Sequence, residues 1–258
     1  ETPTYLGALQ AFAPMEPDIL SVDSDAEGID VDDLENKGRG ARFLYVPPNF
    51  QNPTGRTMSE SRRQALVDRL AAIGVPFVED NPYGDLWFDH APPPPLSARN
   101  PEGGIYLGSF SKVLAPGLRL GYLVAPKAIS PKLLQAKQAA DLHSPSFNQR
   151  MVAEVLKDGF LERHVPTIRT LYKHQCAVML DALAQDMSGL DVQWNSPDGG
   201  MFLWARLPAG LDAIALLPKA VAKGVAFVPG TAFFAGEPDP RTLRLSFVTA
   251  SEEQIRVG

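Results

Sequence analysis

The run Ile105-Tyr106-Leu107-Gly108-Ser109-Phe110-Ser111-Lys112 decides how this chain is read. Its apolar beginning, closed by glycine, predicts a short buried strand, and the strand delivers a lysine flanked by two hydroxyls to its carboxyl end. A little further on, Arg119-Leu120-Gly121 adds a guanidinium whose planar fork suits phosphate oxygens. A lysine that traps a carbonyl covalently needs a rigid support and small hydroxyl donors beside it. It also needs a nearby arginine when the carbonyl compound carries a phosphate. A lone lysine after a strand is ordinarily a solvated surface group; the company of Ser109, Ser111 and Arg119 makes Lys112 a candidate nucleophile instead.

Strands and helices alternate around this run. Residues 42–46 read as a strand stopped by Pro47-Pro48, and Ser59 caps a helix with Leu66, Leu70 and Ile73 on one face, closed by Gly74. Residues 75–79, 105–108 and 120–124 read as further short apolar strands. The alternation predicts an α/β fold with a mostly parallel sheet covered on both faces. Ligands in such sheets gather at the carboxyl ends of the strands, where Asn52, Asp80 and Lys112 all fall. The four prolines of residues 92–95 predict a surface loop. Helical patterns follow at 131–141 and from 148, then a long helix over 165–184 with Pro166 in its first turn. Strands at 201–206, 225–228 and 242–247, with a helix over 212–223, predict a smaller α+β unit. The expected division is a large domain at 1–158 and a small C-terminal domain at 159–258, with a last helix opening at Ser251.

The chain has 258 residues, of which 45% are hydrophobic and 21% charged, enough for a substantial core. A net charge of −6 offers no electrostatic footprint for nucleic acid. No run of about 18 apolar residues suggests a membrane span. The nearest approach to a basic cluster, Arg62-Arg63, is expected on a solvated helix face. The single cysteine, Cys176, lies among Leu171, Tyr172, Val178, Met179 and Leu183 and reads as a small buried hydrophobe. The four histidines lack metal-site spacing, so no metal is expected.

Four further pieces surround Lys112 in the reading. Asn49-Phe50-Gln51-Asn52-Pro53-Thr54-Gly55 is an irregular turn between strand and helix; Asp80-Asn81-Pro82-Tyr83 sends an acid out of a buried strand. Arg244 stands inside the apolar run Thr242-Leu243-Arg244-Leu245, where it must meet a carboxylate from the protein or from a ligand. Tyr5 follows Pro3-Thr4. Singly these read as a turn former, a helix cap and core. Together, Asn52-Pro53-Thr54-Gly55, Asp80-x-x-Tyr83, Ser109-x-Ser111-Lys112, Arg119-x-Gly121 and Arg244 resemble, in order, the motifs of class I/II aminotransferases. Pro3-Thr4-Tyr5-Leu6-Gly7-Ala8-Leu9-Gln10, Gln135-Ala136-Lys137-Gln138 and Asp141-Leu142-His143-Ser144-Pro145 resemble the α-aminoadipate and kynurenine branch.

That resemblance implies the pyridoxal-phosphate-dependent transferase fold type I and the cofactor pyridoxal 5′-phosphate. Lys112 would hold the cofactor through its ε-amino group and serve as the catalytic base. Asp80 would pair with the ring nitrogen, Tyr83 and Asn52 with the ring oxygen, and Ser109, Ser111 and Arg119 with the phosphate. Tyr5 would stack on the ring, and Arg244, with Asn52, would grip the substrate α-carboxylate. Gly199-Gly200 would let backbone approach the substrate, and the Asn52-Pro53 bond would be cis. The implied reaction moves an amino group between an amino acid (2-aminoadipate, aromatic or branched-chain in type) and a 2-oxo acid such as 2-oxoglutarate. Its partners are small molecules, with no nucleic acid or membrane; a cytoplasmic homodimer is implied. The family also carries about a hundred residues upstream, including a Gly-rich phosphate-binding helix start, and a longer C-terminal helix, so the chain reads as a fragment. Other readings are an aminotransferase-like effector domain of a GntR-type transcription regulator, a cysteine-conjugate lyase side activity and an inactive scaffold. Such effector domains often have an aromatic where Asn52 stands, which favours the enzyme.

Overall fold

The computed structural model describes residues 1–258. Helix α1 (Leu6–Phe12) precedes a minimal hairpin, β1 (Ser24–Asp25) with β2 (Gly28–Ile29), and then α2 (Val31–Gly38). Next come β3 (Leu44–Val46), α3 (Glu60–Ile73), β4 (Phe77–Asp80), α4 (Leu96–Arg99) and β5 (Gly104–Ser109). These three strands pair in parallel in that order, and β6 (Gly121–Val124) turns back antiparallel along β5. Helices α5 (Ser130–Asp141), α6 (Ser146–Val155) and α7 (Phe160–Asp186) lead to β7 (Gln193–Trp194) and β8 (Phe202–Arg206). After α8 (Ala213–Val221) come β9 (Val228–Pro229), β10 (Thr242–Ser246) and α9 (Glu252–Val257). The second sheet is antiparallel throughout, in the order β7-β8-β10-β9.

Local chemistry explains the framework. Ser59 Oγ accepts the Arg62 N–H at 3.3 Å to open α3, and Gly74, at φ 69°, closes it in the left-handed region. The inner face of α3 buries Leu66, Val67 and Leu70 against Val46 and Phe77 of the first sheet and Ile29 and Leu34 beside it. Each such large apolar side chain contributes about 1.5–3 kcal/mol on burial. Asp212 caps α8, and Ser251 forms a capping box with Gln254 at the start of α9. Cys176 is buried, and burial pushes its thiol up to about 12. No helix is long and apolar enough to cross a membrane.

Three expectations are corrected. Helix α7 begins at Phe160, turned in by Asp158 and Gly159 in the left-handed region, so Pro166 lies inside the helix rather than in its first turn. The gain that carries the helix through Pro166 is packing, because Leu161, Val165 and Ile168 all join the cluster around Phe50 and Phe202. Strand β6 is exposed on both faces, with Tyr122 and Leu123 each 49% and Val124 62% accessible, whereas its apolar sequence suggested a covered strand. Its partial cover includes Phe110 and Tyr106, whose rings lie 5.6 Å and 6.3 Å from that of Tyr122.

The third correction concerns Arg63, which is fully buried rather than solvated. Its Nε donates to Met58 O at 3.0 Å, Nη1 to Pro93 O at 3.1 Å, and Nη2 to Pro48 O at 3.3 Å and to Asn49 Oδ1. Burial pulls its pKa down to about 10, opposed by the charge of nearby Glu79. Glu79 is itself buried and caps α4, accepting Leu96 N–H at 3.0 Å and Ser97 N–H at 2.9 Å. One cation therefore ties the proline loop to the turn that follows β3. Replacing it strands several carbonyls, so Arg63→Met should lower the unfolding free energy by about 3–5 kcal/mol. Arg150→Met, on the exposed surface of α6, should change it by less than about 0.5 kcal/mol. Urea denaturation of the two variants measures the difference.

Candidate active site

The turn between β3 and α3 is fixed before any ligand is considered. Gln51 N–H donates to Arg56 O and Met58 N–H to Pro48 O, each at 2.8 Å. Gln51 Oε1 accepts the Thr54 N–H at 3.1 Å, and Gln51 Nε2 donates to Pro3 O at 2.8 Å, which pins the Tyr5 segment against the turn. The Asn52-Pro53 bond is cis, as the sequence suggested; Thr2-Pro3 is cis as well. Gly55 has φ 67° and lies so close to β8 that a Cβ there would be 2.6 Å from Phe202 O. Asn195 Nδ2 donates to Thr54 O at 2.6 Å while its Oδ1 accepts Trp204 N–H at 2.7 Å. The turn therefore belongs to both sheets.

Arg244 is central to the arrangement. On β10 it pairs with Trp204 of β8 and Val228 of β9, and its guanidinium lies 4.1 Å over Phe202 and 5.1 Å from Phe233. Nη1 donates to Asn52 Oδ1 at 2.6 Å, but the buried Nε has no acceptor, and no protein carboxylate pairs with the group. Burial lowers its pKa, with Tyr83 and Tyr5 pulling in the other direction. A cation desolvated over two aromatic rings and left without an acid is suited to an incoming carboxylate.

Tyr83, Tyr5 and Lys112 lie near enough to Arg244 for charge to act between it and each of them. Tyr83 is buried edge-on to Phe202, at 5.9 Å between centroids; burial raises its hydroxyl pKa and neighbouring Asn52 opposes the rise. Lys112 places Nζ 5.7 Å from the Tyr83 ring centroid. Its pKa is lowered, first by burial and then by the charges of Arg244 and Arg119, with no acid opposing. Asp80, at the end of β4, accepts the Tyr45 hydroxyl on Oδ2 at 2.6 Å; burial raises its pKa and this hydrogen bond opposes the rise. Ser109 Oγ accepts the Ser111 N–H at 3.1 Å and shapes the turn that carries Lys112. Tyr5 is 39% exposed at the head of α1 and near enough to influence Tyr83, Tyr45 and Arg244. Arg119 is the outlier: it influences Lys112, but its side chain is exposed and donates to Pro116 O at 3.2 Å.

Sequence reasoning passed over several contributors. Tyr45 sat unremarked within an apolar strand. Asn49 and Asn81 form a relay, Asn49 Nδ2 donating to Asn81 Oδ1 at 2.9 Å and Asn81 Nδ2 to Tyr106 Oη at 3.0 Å. At Gly199 and Gly200 the close neighbours that demand glycine are Phe50 and the Leu86 carbonyl, a constraint from the protein itself that the sequence reading did not include. An open groove of about 530 Å³ lined by Phe110, Leu134, His143 and Val152 holds none of the predicted side chains.

A family model described as aminotransferase class I and II matches residues 2–258. The aromatic-amino-acid aminotransferase 1 of Thermococcus litoralis is 45% identical over all of this chain and 64% of its own length. The structure superimposes on the kynurenine aminotransferase of Pyrococcus horikoshii, in complex with PMP, with a TM-score of 0.94 at 42% identity, covering 98% of this chain and 65% of that one. The α-aminoadipate aminotransferase of Thermus thermophilus, complexed with N-(5′-phosphopyridoxyl)-L-leucine, gives 0.93 at 43% identity over 98% and 66%. A helix-turn-helix transcriptional regulator of Bacillus subtilis matches more distantly, at 33% identity over 53% of its length. The chain thus spans slightly under two thirds of the length of these aminotransferases.

The two cations near Lys112 have a measurable consequence. Because its pKa is depressed, the neutral amine is present at a lower pH than for a surface lysine. Lys112 should react with an acylating reagent at a lower pH than an ordinary surface lysine does. Arg244→Gln removes a positive neighbour, raises the Lys112 pKa and should shift its reactivity profile to higher pH. Peptide-resolved mass spectrometry across a pH series follows the Lys112 peptide in both proteins.

Proposed function

The chain belongs to the class I and II aminotransferase family, and on that premise we propose that it is the catalytic part of a pyridoxal-phosphate-dependent aminotransferase. The observation that carries this reading is Arg244, a half-buried guanidinium with a buried, unpartnered Nε, beside Asn52 and close enough to Lys112 to depress its pKa. An amine and a carboxylate receptor, arranged together, match the two ends of an α-amino acid.

The donor set fits the cofactor. Pyridoxal phosphate, when bound, supplies an aldehyde that condenses with amines and a ring that accepts the electrons left when the α-proton departs. Lys112 would hold it and then carry that proton, a task suited to an amine whose pKa is held down. Asp80 would pair with the ring nitrogen, and Tyr83 and Asn52 would donate to the ring oxygen. Ser109, Ser111 and Arg119 would take the phosphate, and Tyr5 would cover the ring. Arg244 and Asn52 orient the substrate carboxylate so that the Cα–H bond lies near Lys112.

The substrate pair is an amino acid of the aminoadipate, aromatic or branched-chain kind and a 2-oxo acid such as 2-oxoglutarate. The kynurenine, aminoadipate and aromatic amino acid enzymes among the relatives support this range. We assign residues 1–158 to a cofactor-binding domain and 159–258 to a smaller domain that brings Arg244. The whole protein is read as a cytoplasmic homodimer acting on small molecules, without nucleic acid; the net charge of −6 agrees.

Absorbance spectroscopy of the protein at its natural length, with pyridoxal phosphate added, tests the reading. A band from the lysine-bound cofactor should form and be lost in Lys112→Ala. Arg244→Gln should keep the band yet lower kcat/KM for both substrates, by roughly 30- to 150-fold, as expected for losing about 2–3 kcal/mol of charge-assisted bonding. No band in the folded wild type, or undiminished turnover in Arg244→Gln, would overturn it.

A further inference from the structure

Tyr45 is the side chain that hydrogen-bonds the Asp80 carboxylate. On β3 it lies in register with Val78 of β4, and Asp80 follows Val78 by two residues, so all three project from the same face of the sheet. The tyrosine reaches diagonally along that face to Asp80 Oδ2, at 2.6 Å. Its ring is set by Phe12, which meets it edge-on at 5.8 Å from the end of the helix that Tyr5 begins. Burial and the adjacent carboxylate keep the hydroxyl protonated, so toward Asp80 it acts as a donor. Asp80 Oδ1 receives no protein hydrogen bond.

We propose that Tyr45 is a positioning residue for Asp80, holding Oδ2 so that the carboxylate keeps one rotamer and presents Oδ1 to the ring nitrogen of bound pyridoxal phosphate. This rests on the assignment of Asp80 made above. The physical case has two parts. A carboxyl group at a half-buried strand end turns freely about its last bond unless one oxygen is tied. In addition, a donated hydrogen bond lowers the proton affinity of the carboxylate. The proton shared between Asp80 and the ring nitrogen therefore stays on the nitrogen. Without the Tyr45 hydroxyl, Asp80 becomes the stronger base and draws that proton to itself, leaving a neutral pair and a weaker electron sink.

Tyr45→Phe keeps the ring and its contact with Phe12, so the fold is retained and only the donor is lost. In the protein at its natural length, kcat should fall about tenfold, the scale of one hydrogen bond to a charged group, while KM for both substrates stays within about twofold. With the cofactor labelled at its ring nitrogen, the ¹⁵N resonance should move from the protonated toward the unprotonated position. In an Asp80→Asn background, adding Tyr45→Phe should change neither readout further. A Tyr45→Phe protein with wild-type kcat and an unmoved resonance overturns the inference, as does an effect that adds in full to Asp80→Asn. If Asp80→Asn alone moves neither readout, the assignment of Asp80 fails, and the role of Tyr45 fails with it.

Discussion

A single hydrogen bond, from Arg244 to Asn52, joins residues 192 positions apart and marks the junction on which the rest of the site depends. Other ties between the two sheets lie beside it. Asn195 holds the Thr54 carbonyl, Gly200 N–H donates to Leu86 O, and Phe88 N–H donates to Asp198 O. Gly55 lets the turn lie against β8, and Gly199 and Gly200 give Phe50 room. The small residues of the turn therefore serve contact between the two sheets.

The electrostatics of the junction are lopsided. Lys112, Arg244 and Arg119 bring positive charge, and Asp80 is the single acid among the candidate residues. Burial works against charge on both Lys112 and Arg244, and neither has a protein carboxylate to offset it. A folded chain keeps such an imbalance only at a cost in stability, and an anionic ligand relieves it. A phosphate and an α-carboxylate are two anions of the kind the cations require. Lys112 profits from the imbalance, since the neighbours that oppose its protonation leave its amine free to react.

Much of this was legible in the residues. The alternation of short apolar strands with amphipathic helices gave the parallel sheet, and Ser59, Gly74 and Ser251 marked helix ends because capping is local chemistry. Arg244 announced itself as a charge in an apolar strand. Arg63 did not, because an arginine on a helix beside another arginine reads as solvent-facing. Its burial is decided by carbonyls from three separate segments, which no local pattern reveals. Tyr45 was hidden for a related reason: an aromatic in a strand reads as core, and its hydroxyl acquires meaning only once β3 and β4 are in register. The exposure of β6 was equally invisible, since strand sequence records what a face can tolerate and says nothing of what covers it. Pro166 misled because its helix is extended backward by packing around Leu161 and Val165.

The wide spacing between Asn52 and Arg244 also fixes an order of events during synthesis. The first sheet can assemble from neighbouring crossover units as they leave the ribosome, but the Arg244–Asn52 contact cannot exist until residue 244 has been translated and β10 has found β8. Through the interval before that, Lys112 lacks the Arg244 charge that, after burial, lowers its pKa in the folded chain.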